Sequence, residues 1–358
     1  MSYPIAERLF QIVKKNQSLL QIPTEYKSSD YFPDFVSKKL DDYYAFLKNN
    51  EVGKIVNAVS WTTNRDVQFL NRIRPFNDAI NNCLKLYYDG KIAKAYEKFN
   101  TSLDKIVGFR ANTVLGVVEP HSKFYRIRIA NSAVIKDRSD NFHIKFELRH
   151  ICSTQRYSVP GMPSIYLGDS AFICFKEVNS PSFSDAYISL FEAKKLINII
   201  EIQTVDNFFK QYEEENNLDL KLTHILRFLL LFPLYVACTV KVRHEGAFKS
   251  EYIIPQFLLQ YVTDDETIKG IKFPSTKIDI ASGFSDLITH NYVFPVAKSE
   301  QSGFCSTLRS FFDLTRPKSF DELLKSKIPD LSIKDYNKSD FRLIETALAK
   351  EKIDDVLN

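Results

Sequence analysis

The chain has little of what would tie it to export, a metal or a membrane. Its five cysteines (Cys83, Cys152, Cys174, Cys238 and Cys305) stand apart with no paired spacing. That spacing excludes a zinc ribbon or a disulfide framework and points to a reducing cytoplasm. The N-terminus carries Glu7 and Arg8, charges that come too early for a secretory leader. The longest apolar run, Phe228 to Val240, is interrupted by Pro233 and is too short to span a bilayer. It reads as a buried helix or strand. No dense stripe of Lys and Arg appears, so no nucleic-acid footprint is drawn. A cytoplasmic protein without membrane association is expected.

What is present points to a globular chain. At 358 residues it is long enough for two domains and a sizeable core. An apolar fraction of 44%, with 29 Phe and 18 Tyr, is far from a disordered composition. The net charge of +4 is unevenly placed, with 17 basic and 13 acidic residues in positions 1–120 and equal numbers beyond. The excess reads as a hint of an anionic partner or, more simply, as a solvated helical surface.

Residues 1–116 read as an all-α domain. Ile5, Leu9, Phe10, Ile12 and Val13 make one apolar face, and Phe35, Leu40, Tyr43, Tyr44 and Leu47 make another. Val52 to Arg72 is a third helix candidate and carries Trp61, the sole tryptophan. Pro75 is expected to break the next segment. Phe76–Tyr88, a turn at Asp89-Gly90 and Lys91–Leu103 look like a helical hairpin. Arg65, Arg72 and Arg74 could bind a phosphate but read more simply as a basic helix face.

Near residue 113 the texture turns β-rich. Strands are expected at 124–130, 143–148, 164–167, 236–243, 270–273 and 291–296, with helices at 191–201, 205–214 and 222–233. Elements that do not alternate regularly indicate an α+β domain, taken as 117–317. The remainder, 318–358, reads as a charged helical tail with Phe341, Leu343, Ile344, Leu348 and Ile353 on its apolar face.

The candidate chemistry centres on residues 152–177. Arg156 and hydroxyl neighbours precede the turn Pro160-Gly161-Met162-Pro163, and Ser164 to Leu167 reads as a short strand. Asp169 or Ser170 can then cap a helix whose body is Ala171 to Val178. Arg156 and Glu177 would lie at opposite ends of this unit, facing a common cleft. Alone, Arg156 is an ordinary loop arginine and Glu177 an ordinary surface carboxylate beside Lys176. His224, His244 and His290 are scattered and read as satisfied or surface histidines, so no metal site is expected.

Six segments in one order resemble the RES family. They are Phe124-Tyr125-Arg126; Arg156-Tyr157-Ser158 followed by Pro160-Gly161, Pro163 and Tyr166-Leu167; Glu177; Tyr252-Ile253-Ile254-Pro255-Gln256 with Leu258; Gly270-Ile271 with Phe273 and Ser275; and Asn291-Tyr292-Val293-Phe294-Pro295. The likeness covers about residues 120–316 and leaves the N-terminal third outside. The family includes toxins of bacterial toxin–antitoxin pairs that destroy NAD. The resemblance implies a fold related to the ADP-ribosyltransferases, with Arg156, Glu177 and Ser275 as catalytic residues. It also implies Arg126, Tyr166 and Asn291 as NAD-binding residues. One departure stands out: Thr154-Gln155-Arg156-Tyr157-Ser158 replaces the family's Gly-Gly-Arg-Trp-Asn.

The chemistry is coherent in its own terms. Loss of nicotinamide from NAD passes through a ribosyl oxocarbenium ion, which a carboxylate such as Glu177 stabilises. Arginine forks such as Arg126 and Arg156 suit the pyrophosphate. Tyr166 could wall the nicotinamide, and Ser275 could orient a ribose or phosphate oxygen. The expected substrate is NAD, with inorganic phosphate or water as acceptor and no metal. An antitoxin or regulatory protein, and a homo-oligomer, are the expected macromolecular partners. Two alternatives stay open: an ADP-ribosyltransferase acting on a macromolecule, and a degenerate non-catalytic nucleotide-binding module.

Overall fold

In a computed structural model of the chain, the described residues are 2–27, 30–57, 69–107, 116–130, 135–242, 246–278, 289–325 and 336–358. Trp61, Arg65 and His244 lie outside them. The chain divides into two compact units, Met1–Leu115 with Ile202–Tyr261, and Gly116–Glu201 with Val262–Asn358.

The first unit is helical and is organised by its most apolar helix, Leu218–Cys238. Asn217 caps it by accepting from the Asp219 and Leu220 amides at 2.9 and 3.2 Å. This helix begins well before the apolar run read from the sequence and is long and apolar enough to cross a membrane. Here it is a core helix, buried from Phe228 through Cys238. Helices Ser2–Lys15, Phe32–Asn49, Leu70–Tyr88 and Val205–Glu214 pack around it. Phe208 stacks on Phe228 at 4.4 Å, and the buried Tyr43 hydroxyl donates to the Leu229 carbonyl at 2.5 Å. A helix apolar on every side needs neighbours on every side. That need explains why 202–261 join the helical unit, although the sequence reading placed them in the mixed domain.

Pro75 does not break its segment. It sits inside Leu70–Tyr88, where Ile73, Phe76, Ile80 and Leu84 form a buried stripe whose packing outweighs one lost backbone hydrogen bond. The Asp89-Gly90 turn leads, as expected, into Ile92–Val107, with Gly90 at φ +76°.

The strands are β1 (Glu25–Tyr26), β2 (Gly116–Val118), β3 (Lys123–Ile129), β4 (Ser164–Gly168), β5 (Ala186–Ala193), β6 (Ile197–Glu201), β7 (Lys241–Val242), β8 (Ile268–Pro274), β9 (His290–Pro295), β10 (Phe312–Leu314) and β11 (Lys318–Ser319). β1 pairs with β7 inside the helical unit. The second unit is built on a nine-stranded sheet in the order β10-β5-β3-β4-β9-β8-β6-β2, with β11 also on β5. Among the described residues, only β6–β8 is parallel among its pairs. The protein is thus mixed α and β with a helical N-terminal region.

Three expectations fail here. Residues 191–201 form the end of β5 and β6 rather than a helix, because Ile197, Ile199 and Ile200 are β-branched and buried within the sheet. Residues 143–148 are not a strand. His143 Nδ1 contacts the Ile144 carbonyl at 2.7 Å, and Nε2 accepts from the Cys305 amide at 2.8 Å. A 3-10 helix, Phe146–Ile151, follows. Of the strand expected at 236–243, residue 243 lies outside the described residues; 236–238 continue the helix to Cys238, and β7 is extended.

Both faces of the sheet are covered. One packs Phe124, Ile165, Leu167, Tyr292 and Phe294 with Phe142 and Phe312. The other packs Tyr125, Ile127, Ile188 and Leu190 against helix Ala171–Glu177 and the tail residues Phe341, Ile344 and Leu348. Leu343, expected on that apolar face, is instead exposed.

Candidate functional site

The site grows out of the turn after β4. Tyr125, Gly168, Asn291 and Phe273 form one row across β3, β4, β9 and β8. Gly168 must be glycine, since a Cβ there would lie 2.4 Å from Ile173 Cγ2 and 2.7 Å from Cys174 Sγ. The bare backbone lets helix Ala171–Glu177 lie close to the sheet. Of the two caps the sequence offered, Asp169 and Ser170, it is Ser170 that caps that helix, accepting from the Ile173 amide at 3.2 Å. Cys174 Sγ donates to the Tyr125 carbonyl at 3.1 Å and ties the helix to β3.

Glu177 is the last residue of this helix. Ser275 Oγ and Asn291 Nδ2 each donate to its Oε1 at 2.7 Å. Ser275 leaves the end of β8 and is pinned by its amide, which donates to the Thr289 carbonyl at 2.9 Å. Two neutral donors on one oxygen fix the plane of the carboxylate. Among the described residues, Oε2 forms one ion pair, with Lys277 Nζ at 3.9 Å. Lys277 Nζ donates to the Glu177 carbonyl and, at 2.8 Å, to Asn179 Oδ1. The Lys277 amide donates to Ser275 Oγ at 3.1 Å. A cation therefore closes the C-terminal end of the helix, where the carbonyl dipoles favour it.

Arg156 reaches the same segment, with Nη2 3.4 Å from Thr276 Oγ1. Its loop is self-supporting. Ser158 Oγ accepts from the Gln155 amide and donates to the Gln155 carbonyl, both at 2.9 Å. A serine here supports the turn in the way an asparagine can. Tyr166 is half-buried, and its hydroxyl donates to the Tyr157 carbonyl. Tyr157 itself is buried, with its ring 4.3 Å from that of Phe273.

Arg126 is not joined to this cluster. On β3, Tyr125 and Ile127 face the helix layer, whereas Phe124 lies in the cluster on the other face. Alternation puts Arg126 on that other face. Its Nη1 is buried without a hydrogen-bond partner. Burial, and then the neighbouring Arg128 charge, push its guanidinium down to about 9. Of the six residues singled out from sequence, the structure joins Glu177, Ser275 and Asn291, brings Arg156 to the adjoining Thr276, ties Tyr166 to the Tyr157 carbonyl and leaves Arg126 within electrostatic reach of Tyr166 alone among them.

Four neighbours were not singled out as site residues: Thr276, Lys277, Asp169 and His290. Lys277 had a signal, standing two residues beyond Ser275. His290 is buried beside Asn291, and its Nδ1 lies 3.2 Å from Asp169 Oδ2. Burial raises the Asp169 carboxyl above the usual carboxylate range, although its hydrogen bond to His290 acts downward. None of the five cysteines is in a disulfide. Among the described residues, no group of three or more His, Cys, Asp or Glu is placed to hold a metal ion.

A sheet-and-helix unit presenting a carboxylate held by a serine and an asparagine defines the class of site. The chain is similar to a protein of Bacillus subtilis (strain 168) named "Putative toxin YopC". The two are 30% identical over 307 residues, which is 80% of this chain and 68% of the relative. The chain belongs to the family of that protein, a toxin family by the relative's name. It matches no profile of a known domain family and no solved structure.

Proposed function

We propose that this protein is a toxin that destroys NAD by cleaving the bond between nicotinamide and ribose. The observation that carries the reading is the pair of 2.7 Å hydrogen bonds that Ser275 and Asn291 make to one oxygen of Glu177. These three residues stem from widely separated segments, and the resemblance to the RES family picks out each of them. The toxin character of the relative supports the biological half of the reading.

In the proposed reaction, the C1″–N1 bond of NAD breaks and its electron pair passes to the pyridinium nitrogen, releasing neutral nicotinamide. Positive charge builds on the ribose C1″ and ring oxygen. Glu177 Oε2 stabilises it, while Ser275 and Asn291 hold the carboxylate in orientation. Preorganised electrostatics of this kind supply about 10²- to 10³-fold in rate per group. Arg156 binds the pyrophosphate as a fork, and Tyr166 packs against the nicotinamide. A phosphate oxygen then bonds to C1″, giving ADP-ribose 1″-phosphate; with water instead, ADP-ribose and a proton are formed. Arg126, within electrostatic reach of Tyr166, is given no bond-making role in the step.

Induced expression in a bacterial host tests the reading. Wild type should deplete cellular NAD and arrest growth, and Glu177→Gln at equal abundance should do neither. Growth arrest with an intact NAD pool would overturn it. Label transferred from NAD to protein or nucleic acid would redirect it to an ADP-ribosyltransferase.

A further inference from the structure

The turn that launches the Glu177 helix is fastened to the strand that carries Asn291. The Asp169 amide donates to the His290 carbonyl at 3.1 Å. In return, the His290 amide lies 3.3 and 3.2 Å from the two oxygens of the Asp169 carboxylate. His290 Nδ1 is 3.2 Å from Oδ2, so the Asp169 side chain engages both the backbone and the ring of one residue. An ionised carboxylate only accepts, so Nδ1 carries the proton. Nε2 is buried without a hydrogen-bond partner. The nearby Lys272 is bound to Glu201 at 2.7 Å, and its charge also acts on Asp169.

We infer that Asp169 and His290 are positioning residues whose clamp sets the hydrogen bond between Asn291 and Glu177. Asp169 directly precedes the helix cap Ser170, and His290 directly precedes Asn291. The two partners of the Asn291–Glu177 bond therefore sit on backbone segments that this clamp locks together. Among the described residues, no hydrogen bond or ion pair joins Asp169 or His290 to Glu177. Their effect passes through the register of β9 against the turn, and a misplacement of about 1 Å at a reacting group can cost about 10²-fold in rate.

The activity arm of the test rests on the NAD-cleaving reading, whereas the structural arm does not. Crystal structures of full-length wild type and Asp169→Ala give the distance from Asn291 Nδ2 to Glu177 Oε1. Separation beyond hydrogen-bonding range in the variant is expected; retention of the 2.7 Å contact would overturn the inference. In the kinetic arm, Asp169→Ala should lower kcat for NAD by about 30- to 100-fold and shift KM by less than about threefold. Asp169→Asn keeps an acceptor for the His290 amide and should recover most of kcat. A variant with wild-type kcat, or a fall in kcat matched by an equal rise in KM, would also overturn it. His290→Ala removes only the ring contact and serves as the second variant if Asp169→Ala does not fold, with the same distance and the same kcat split deciding. Wild type that consumes no NAD defeats the functional reading and leaves the crystallographic distance to decide this inference.

Discussion

Ser275 and Glu177, far apart in sequence, meet through a 2.7 Å hydrogen bond from the serine hydroxyl to one carboxylate oxygen. Asn291 supplies the second donor to that same oxygen, also at 2.7 Å. Two donors on one acceptor act as a unit, so their removal should not be additive. Ser275→Ala and Asn291→Ala should each lower kcat/KM for NAD by about 10- to 100-fold, and the double variant should lose less than the product of the two. A double-mutant cycle on purified protein measures this. Strict additivity would mean that the two donors serve separate tasks.

The C-terminal helix Asp340–Leu348 supports the site from behind. Its buried Glu345 accepts from the Ala171 amide at 2.9 Å, at the start of the Glu177 helix, and also binds Tyr336 and Arg342. Glu345→Ala leaves that buried amide unpaired and should cost about 1–3 kcal/mol in urea unfolding. Glu345→Gln, which keeps an acceptor, should cost less. Equal losses would place the effect on the charge rather than on the hydrogen bond.

Gly168 sets how closely the same helix lies on the sheet. Ala at this position would press on Ile173 at 2.4 Å, a contact that only a shift of the helix relieves. Gly168→Ala should destabilise the fold by about 1–3 kcal/mol. It should also lower activity more than Gly303→Ala, whose added Cβ has nothing within 4 Å and whose cost comes only from a backbone φ of +77° far from Glu177 in sequence. Activity and thermal unfolding measured on both variants separate the two effects.

His143 predicts an acid-sensitive fold. Burial pushes its imidazole from the ordinary 6.5 down to about 4, with the Arg126 charge adding to the effect. The unfolded state therefore binds more protons between these values. His143 contributes stability that is present above about pH 6.5 and lost as pH falls toward about 4. Between about pH 7 and pH 5 the loss should be about 2 kcal/mol. Urea unfolding at the two pH values measures it, and His143→Gln should flatten the difference. An unchanged slope in the variant would assign the acid sensitivity to other groups.

Much of the site was legible because local chemistry dictates it. The Ser170 cap, the short strand before it and the helix ending at Glu177 follow from turn residues and a compact apolar run. The order of motifs then picked out Ser275 and Asn291, whose meeting with Glu177 depends on the pairing of β8, β9 and β4 that no short window encodes. The misreadings share a cause. Residues 191–201 carry apolar side chains at spacings compatible with either period, and sheet burial decided between them. Residues 143–148 alternate like a strand, but His143 spends its ring on Ile144 and Cys305. Pro75 marks a break locally, yet the buried stripe of its helix overrides it. Arg126 matched the motif by sequence, while strand alternation decided which face its side chain took. Lys277 and the Asp169–His290 clamp were missed because their partners lie about a hundred residues away.

Release of nicotinamide from NAD by purified full-length protein tests the central claim most directly, with Glu177→Gln measured in parallel and with and without inorganic phosphate. The account predicts stoichiometric nicotinamide from wild type and a fall of at least about 10²-fold in the variant, with both proteins equally folded. Equal rates for wild type and Glu177→Gln, or no release by folded wild type under either condition, would contradict it.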